Sequence, residues 1–412
     1  MNCGTTFIRS CTFTNMKNEM KLKSGRDKSL RRHDLWVFSG AVDREPQNCF
    51  NGDVIEIASA DGQFLARAGW SPTSQIRARV WTFDPNEAVD VTFFRRRIAD
   101  AAALRRVSGI SETCTAYRLI AAEGDDLSGI ITDIYNDFAV VQFLSAGAER
   151  QRDVYIEALL AEMPDLRGIY ERNDVAVRAK EGLEERTGVI FGDEPPELLE
   201  FKEHNLKFAA DLKNGHKTGF YFDQRENRRL VGRYSAGKSV LNLFSYTGGF
   251  GVAAAVGGAS NVENVDSSAA VLKLAAKNFE LNNISPDRWK NTEANVFELL
   301  RSLEKEKAKF DLIVLDPPKL VESQSHMMKG CRAYKEMALR AFRLLNKNGL
   351  LFTFSCSGLV DAELFAKITF DASHDAGVSG AILRRLAQDA DHPVRLNHPE
   401  SAYLKGLMAV RI

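Results

Sequence analysis

Residues 240–251 read Val-Leu-Asn-Leu-Phe-Ser-Tyr-Thr-Gly-Gly-Phe-Gly, an apolar run that ends in a glycine-containing turn. This pattern is typical of a buried strand that leads into a helix. Further strands are expected at 262–265, 310–315 and 350–355, with helices from Gly251, at 267–278 and at 334–345. The alternation of strand and helix predicts an α/β fold, in which a Rossmann-like parallel sheet carries helices on both faces.

Two smaller units are expected before this sheet. Short alternating strands at 53–57 and 76–81, with Asn51-Gly52 and Asp61-Gly62 as turn signals, predict a small β-barrel. A helix over 86–110 and then strands with a helix at 151–163 predict a middle α+β domain. We therefore divide the chain into a disordered segment or upstream extension (1–19), a β-domain (20–100), a middle domain (101–200) and the Rossmann-like domain (201–412).

Composition excludes several classes of protein. The 412 residues carry 55 basic and 55 acidic side chains, so the formal net charge is zero. No run approaches the roughly 18–20 apolar residues of a membrane helix, and the first residues lack the apolar core of a signal peptide. We expect a cytoplasmic protein without a membrane partner. The six cysteines include no CxxC pair, which argues against a zinc site and against disulfides, and no metal is expected.

A basic run at 21–33 is followed by the aromatic residues Trp36 and Phe38. Basic charge beside exposed rings suits RNA, because phosphates attract the charge and bases stack on the rings. The alternative is an ordinary solvated basic face. The residues predicted to contact RNA are Lys28, Arg31, Arg32, Arg77, Arg79 and Lys319.

Three segments should meet at the carboxyl ends of the strands, where ligands bind in such folds. They are the glycine turn, Asp266 about twenty residues later, whose carboxylate can bind ribose hydroxyls, and Asp316-Pro-Pro-Lys319. The first two alone also fit a nicotinamide cofactor, but the spacing Gly-x-Gly-x-x-Gly is absent. Asp-Pro-Pro favours methyl transfer to a planar base, and therefore S-adenosylmethionine as cofactor. The residues predicted to bind it are Phe244, Ser245, Tyr246, Thr247, Gly248, Gly249, Asp266 and Asp316.

Cys356 lies at the end of the next predicted strand, in the same crevice as Asp316. A thiolate that adds to carbon 6 of cytosine makes carbon 5 nucleophilic enough to accept a methyl group. Asp316, if burial raised its pKa, could protonate the ring. The alternatives are that Cys356 is an inert buried thiol, or that Cys331, near a helix start that would lower its pKa, is the nucleophile.

At these residues the sequence resembles bacterial large-subunit ribosomal RNA cytosine-C5 methyltransferases with an N-terminal PUA domain, over about residues 20–412. The matching stretches include Ser29-Leu-Arg-Arg-His, Trp36-Val-Phe-Ser-Gly-Ala, Ser74-Gln-Ile-Arg-Ala-Arg-Val-Trp-Thr-Phe-Asp-Pro, Gly215-His-Lys-Thr-Gly, Asp223-Gln-Arg, Phe244-Ser-Tyr-Thr-Gly-Gly-Phe, Asp316-Pro-Pro-Lys, Thr353-Phe-Ser-Cys-Ser-Gly, Asp391-His-Pro and Tyr403-Leu-Lys-Gly. Together they are highly specific, but singly only Phe244-Ser-Tyr-Thr-Gly-Gly and Phe354-Ser-Cys-Ser-Gly are.

This resemblance implies a PUA domain, a class I S-adenosylmethionine-dependent methyltransferase domain and one cytosine of 23S ribosomal RNA as substrate. It also implies that Asp223, Gln224 and Arg225 line the cofactor site. Asn295 stands where the family carries an aspartate near the adenine, and could offer it both a donor and an acceptor. The Asp-Pro-Pro motif contains no cysteine, so the base that removes the carbon-5 proton is unidentified. The sequence leaves the oligomeric state open, with a homodimer as the working expectation.

Two other functions are weighed against this one. Methylation of an exocyclic amine on a base would favour an aromatic residue after the two prolines, where Lys319 stands. A non-catalytic RNA-binding protein would not need Gly248, Gly249, Asp266, Asp316 and Cys356 together.

Overall fold

The computed structural model describes residues 18–412, so the prediction for residues 1–19 lies almost wholly outside the described part. The first sheet has six strands in the order β2-β6-β5-β4-β1-β3, and only β1 and β4 are parallel neighbours. A 3-10 turn, Ser39–Ala41, joins the edge strands β2 and β3, which brings the two sheet edges together at that end. The strands are β1 (Glu19–Leu22), β2 (Trp36–Phe38), β3 (Val42–Arg44), β4 (Val54–Ala58), β5 (Phe64–Trp70) and β6 (Ile76–Thr82).

The second sheet has five strands in the order β11-β10-β9-β8-β7, and helices α1 and α4 pack against each other. Helix α1 begins after Asp90, whose side chain caps it by accepting a hydrogen bond from Phe93 N. The elements are α1 (Val91–Val107), α2 (Ile110–Thr113), β7 (Ala116–Ala121), β8 (Ile130–Tyr135), β9 (Phe138–Phe143), α3 (Ala146–Arg150), α4 (Arg152–Glu162), β10 (Gly168–Arg172) and β11 (Thr187–Gly192).

A hairpin, β12 (Leu199–Glu203) and β13 (Leu206–Ala210), leads into a seven-stranded sheet ordered β16-β15-β14-β17-β18-β20-β19. Its first five strands are parallel and β20 runs antiparallel to both neighbours. The remaining elements are α5 (Arg225–Arg233), β14 (Ser239–Leu243), α6 (Gly249–Val256), β15 (Asn261–Asp266), α7 (Ala269–Leu281), β16 (Trp289–Glu293), α8 (Val296–Lys305), β17 (Phe310–Leu315), α9 (Met327–Leu344), β18 (Leu345–Ser355), α10 (Ala362–Asp375), β19 (Gly380–Ala387) and β20 (Lys405–Arg411).

Alternate residues of the central strands enter the cores on the two faces of this sheet. Val240 and Leu312 lie in one core, whereas Leu241 and Ile313 lie in the other. Strands buried on both faces read as continuous apolar runs, which is why the sequence predicted them. The α/β prediction is confirmed. Among residues 18–412, no helix has the length and apolar character needed to cross a membrane.

The start of helix α9 differs most from its prediction. Helix α9 begins at Met327, seven residues before the predicted start. Gly330 and several charged residues hide the helical pattern there. A side chain at Gly330 would collide with Val321, because its Cβ would lie 2.3 Å from a Val321 methyl carbon. The glycine is therefore required by close packing rather than by a turn.

Candidate functional site

The order of the strands reverses between β14 and β17, and a crevice opens there at their carboxyl ends. The turn after β14 has an unusual backbone, because Phe244 (φ 56°) and Tyr246 (φ 47°) are both left-handed. Asp266, at the end of β15, holds this turn: one carboxylate oxygen accepts from Tyr246 N (2.9 Å) and the other from Ser268 N (3.1 Å). Strain of this kind is typical of ligand-binding loops.

The hydroxyl groups of the turn fit a polar ligand. Ser245 Oγ and Thr247 Oγ1 are buried and have no hydrogen-bond partner among the described residues. Such orphaned groups are rare in folded proteins because leaving them unsatisfied is costly. Each oxygen of Asp266 has a second lone pair for another donor. These residues therefore fit S-adenosylmethionine, whose ribose and amino acid portions carry complementary groups.

The glycines of the turn are required by close packing. A Cβ on Gly248 (φ 78°) would lie 3.0 Å from the Ala275 side chain in α7, and one on Gly251 would lie 2.1 Å from Asn264 Oδ1. A Cβ on Gly249 would lie 3.1 Å from Arg228. That the backbone of Gly248 and Gly249 also contacts the cofactor stays a prediction.

Asp316 follows β17 directly and Cys356 follows β18 directly. The two strands are parallel neighbours, with Leu315 opposite Thr353, so both side chains emerge at the same edge of the sheet. Gln224 Nε2 donates to Asp316 Oδ2 at 3.1 Å. Burial and then the nearby Asp223 raise the pKa of Asp316 to about 7. Near neutral pH this carboxyl is therefore partly protonated, as the prediction for a ring-protonating acid required.

The thiol of Cys356 is half-buried and packs against the core that contains Val240. Burial and then Asp316 raise its pKa, while Lys217 opposes the rise. Cys331 packs instead against the opposite core and its thiol lies 3.7 Å from Met327 Sδ. Burial raises the pKa of Cys331 too, so the expectation that a helix start lowers it is wrong.

Sequence reasoning placed Asp223 at the site but missed several of the side chains around it. Asp223 is buried and accepts a hydrogen bond from the Tyr403 hydroxyl (2.6 Å), and Lys217 Nζ lies 3.7 Å away. Burial disfavours ionisation of Asp223, but Lys217 and other neighbours lower its pKa to about 2. Lys405 Nζ donates to the carbonyl oxygens of Ser357 (2.7 Å) and Tyr403 (2.8 Å) beside the thiol. The stretches at 215–219 and 403–406 were the available signal.

Two predicted cofactor residues are engaged elsewhere. Arg225 is 1% exposed and donates to Asp389 (2.7 Å) and Asp391 (2.8 Å), so it holds the segment after β19 and does not line the crevice. Asn295 is exposed, and its oxygen caps α8 by accepting from the backbone nitrogens of Phe297 and Glu298. Only the amide hydrogens of Asn295 remain available for an adenine, rather than a donor and an acceptor.

The predicted RNA contacts also differ in availability. Lys28, Arg32 and Lys319 are exposed. Arg31 is exposed but paired with Asp27 (2.7 Å). Arg79 is bound to the buried Glu181 at 2.8 Å, so its prediction as an RNA contact is corrected to a structural ion pair.

Two more side chains from the same prediction are held by the protein. Arg77 donates to the carbonyl oxygens of Pro72 (2.5 Å) and Ser74 (2.7 Å), which leaves little of its guanidinium for phosphate. The Trp36 indole nitrogen donates to Glu123 (2.9 Å), whereas Phe38 remains 52% exposed. Of the two aromatic residues, only Phe38 is available for stacking. Within residues 18–412, no three His, Cys, Asp or Glu side chains are grouped to hold a metal ion.

Comparisons with known proteins agree with this geometry. A model of S-adenosylmethionine-dependent methyltransferases matches residues 184–386, and a model of PUA-like domains matches residues 20–83. Two structures match with TM-scores of 0.82 and 0.83 at 25% and 24% identity, each over 95% of this chain and 99% of the other. The first is described as a SAM-dependent methyltransferase from Streptococcus mutans, and the second as a methyltransferase complexed with SAH.

The most informative relatives are proteins called ribosomal RNA large subunit methyltransferase I. The protein from Aeromonas salmonicida is 50% identical over 387 residues, covering 94% of this chain and 98% of the relative. That from Escherichia coli O157:H7 is 48% identical over 391 residues, covering 95% and 98%. With a PUA-like domain, a methyltransferase domain that uses S-adenosylmethionine and identity at this level along nearly its whole length, the chain belongs to the ribosomal RNA large subunit methyltransferase I family.

Proposed function

We propose that this protein methylates carbon 5 of one cytosine in 23S ribosomal RNA, with Cys356 as the nucleophile. The names of the relatives support ribosomal RNA as substrate. The observation that carries the chemistry is the position of Cys356 and Asp316 at the ends of neighbouring strands, beside the turn after β14. We further propose that residues 20–100, 101–200 and 201–412 act as RNA-binding, middle and catalytic domains.

The cofactor supplies an electrophilic methyl group on its sulfonium. In this proposal the Asp266 carboxylate binds the ribose hydroxyls, while Ser245 and Thr247 provide hydroxyl groups to the remaining polar parts. Asn295 donates to the adenine, and Gln224 holds Asp316 in place. The main chain of Phe244–Gly249 forms the floor of this site.

The reaction begins when the Cys356 thiol loses its proton and the thiolate adds to carbon 6 of the cytosine. Asp316 gives its proton to N3, the ring nitrogen next to the carbonyl, so that the ring becomes an enamine. Carbon 5 then takes the methyl group. Loss of the carbon-5 proton to a basic group or water, return of the N3 proton to Asp316 and expulsion of the thiolate restore the aromatic ring.

The pKa shifts of Asp316 and Cys356 suit these proton transfers. Asp316 can carry a proton near neutral pH because its pKa is about 7. When Asp316 is protonated, its charge no longer disfavours the Cys356 thiolate, and Lys217 favours it. The acid and the nucleophile therefore assist each other, and the competent form has a protonated Asp316 beside an ionised Cys356.

The proposal is tested with Cys356→Ser and the matched variant Cys331→Ser. Serine's hydroxyl is a poor nucleophile at neutral pH, so Cys356→Ser should lose methylation and keep S-adenosylmethionine binding, while Cys331→Ser stays active. RNA containing 5-fluorocytosine should trap the wild-type enzyme covalently, because fluorine cannot leave as a proton. The cytosine must also leave its stack to reach the thiol.

The contrary outcomes are distinct. An active Cys356→Ser together with an inactive Cys331→Ser would assign the nucleophile to the other thiol. If both variants are active and no adduct forms, mass spectrometry of the methylated nucleoside should reveal a product other than 5-methylcytosine, such as one methylated on an exocyclic amine.

A further inference from the structure

A second cavity lies far from the crevice, where three parts of the chain meet. It has a volume of about 300 Å³, at the low end of the range in which proteins hold small ligands. Its walls include His33 and Phe83 from the first sheet region, Arg97 from α1, and Arg395 and Asn397 from the segment after β19. Asn397 Nδ2 donates to the His33 carbonyl at 2.5 Å, which joins the two ends of the chain at this cavity.

The cavity presents unsatisfied cationic donors. Arg97 pairs with Asp126 at 3.2 Å, and Arg395 pairs with the same carboxylate. The lining holds three arginines and three carboxylates, so its formal charges balance: Arg96, Arg97, Arg395, Asp84, Glu87 and Asp126. The Nε atoms of Arg97 and Arg395 are buried and have no hydrogen-bond partner among the described residues. Phosphate oxygens are the acceptors that arginine binds best in such a setting.

An aromatic pair lines the same cavity. The rings of His33 and Phe83 are parallel, with centroids 4.4 Å apart and planes at 10°. His33 is an exposed residue in the wall of this cavity. Nucleobases stack on such rings with little dependence on sequence. The aromatic rings suit a nucleobase, and the arginine donors suit the phosphate of the same nucleotide.

The cavity also borders the basic segment at 21–33, because His33, at the end of that segment, lines it. Arg32, next to His33 in the chain, is exposed and makes no ion pair within residues 18–412. A strand of RNA leaving the cavity would therefore meet another cation. We propose that this junction cavity binds one unpaired nucleotide of the RNA substrate, with its base on His33 and its phosphate at Arg97 and Arg395. This inference rests on the proposed function, because it takes RNA as the substrate.

The test compares His33→Ala and Arg395→Gln with the wild type on 23S ribosomal RNA transcribed in vitro. Each variant should raise both the KM and the Kd for RNA about 10-fold, the loss expected for one stacked base or one phosphate contact. The kcat, the affinity for S-adenosylmethionine and the Tm should stay unchanged. His33→Phe keeps the ring and should bind like the wild type. Arg384→Gln, on exposed strand β19, is the matched control and should change nothing.

The possible results separate the two proposals. If the wild type methylates the RNA and both variants keep its KM and Kd, the cavity inference is wrong and the proposed function stands. If the wild type does not methylate the RNA, the proposed function fails, and the Kd for RNA still decides the cavity. If calorimetry with free mononucleotides detects binding that His33→Ala abolishes while the affinity for RNA is unchanged, the cavity serves a free nucleotide, which also overturns the inference.

Discussion

Replacing Asp316 by asparagine tests the acid of the crevice through stability as well as activity. The unfolded chain loses this proton near pH 3.8, whereas burial and then Asp223 raise the pKa of the folded-state carboxyl to about 7. Between these values the folded state binds more protons, so the contribution of Asp316 to stability falls as the pH rises through this window. It is fully present below pH 3.8 and lost above pH 7.

The size of the effect follows from the pKa difference. About three pKa units correspond to about 4 kcal/mol, and partial exposure of the half-buried Asp316 reduces this to about 2 kcal/mol through solvent screening. Asp316→Asn cannot ionise, so it should stabilise the protein by about 2 kcal/mol at pH 8 and by much less at pH 5. It should also lower kcat by about 100-fold, because the ring loses its proton donor.

Urea unfolding at pH 5 and pH 8, followed by circular dichroism, measures the difference. Asp311→Asn is the matched control at the other end of β17. Burial there opposes ionisation, but hydrogen bonds from Ser239 and Asn346 lower the pKa of Asp311, so its substitution should destabilise the protein at pH 8. If Asp316→Asn changes stability equally at both pH values, Asp316 has no raised pKa and the proton-donor argument fails.

Four further substitutions test other parts of the molecule. Asp266→Ala should weaken S-adenosylmethionine binding by about 1–3 kcal/mol in calorimetry. An unchanged affinity would show that Asp266 does not bind the cofactor. Arg32→Ala should reduce the slope of log Kd for RNA against log salt concentration by about one. Arg79→Ala should leave that slope unchanged and lower the Tm, because Glu181 loses its partner. A shallower slope with an unchanged Tm would show that Arg79 contacts RNA. Gly248→Val should lower the Tm, since φ is 78° and α7 is close, and an unchanged Tm would contradict the packing role.

The sequence predicted the central strands because both of their faces are buried, which leaves a continuous apolar run. It also predicted which strand ends would meet, since parallel strands bring their carboxyl ends to one edge. The partner of Asp223 could not be predicted in this way. Tyr403 lies 180 residues away in the chain and reaches Asp223 only through the antiparallel pairing of β20 with β18.

Charged residues were the least predictable part of the site. Arginine is rarely buried, and sequence reasoning placed Arg79 on the RNA-binding surface. The family resemblance placed Arg225 at the cofactor site. In the structure both are tied to carboxylates that lie more than a hundred residues away in the chain. Their burial depends on partners that no local pattern identifies, and only the folded chain brings these charges together.

The pairing of Arg225 belongs to a buried network that joins the middle of the chain to the crevice. Arg105, in α1, is fully buried and donates to both oxygens of Asp125 and to the Asp391 carbonyl (2.9 Å). The Asp391 carboxylate accepts from Arg225 (2.8 Å) and from Arg118 N (3.0 Å). Every charge in this set has an ionic partner, which offsets the desolvation that makes isolated buried charges costly.

The same buried network continues to Lys217, which lies close to Asp223 in the crevice. The Arg118 guanidinium pairs with Asp133 (2.5 Å), and Asp133 accepts from the Thr218 hydroxyl. Thr218 follows Lys217, the residue that faces Asp223. The cation that favours ionisation of Asp223 and Cys356 is therefore positioned from β7 and β8, not from the seven-stranded sheet. Because a buried ion pair has few alternative geometries, these contacts from the second sheet support the position of Lys217 at the crevice.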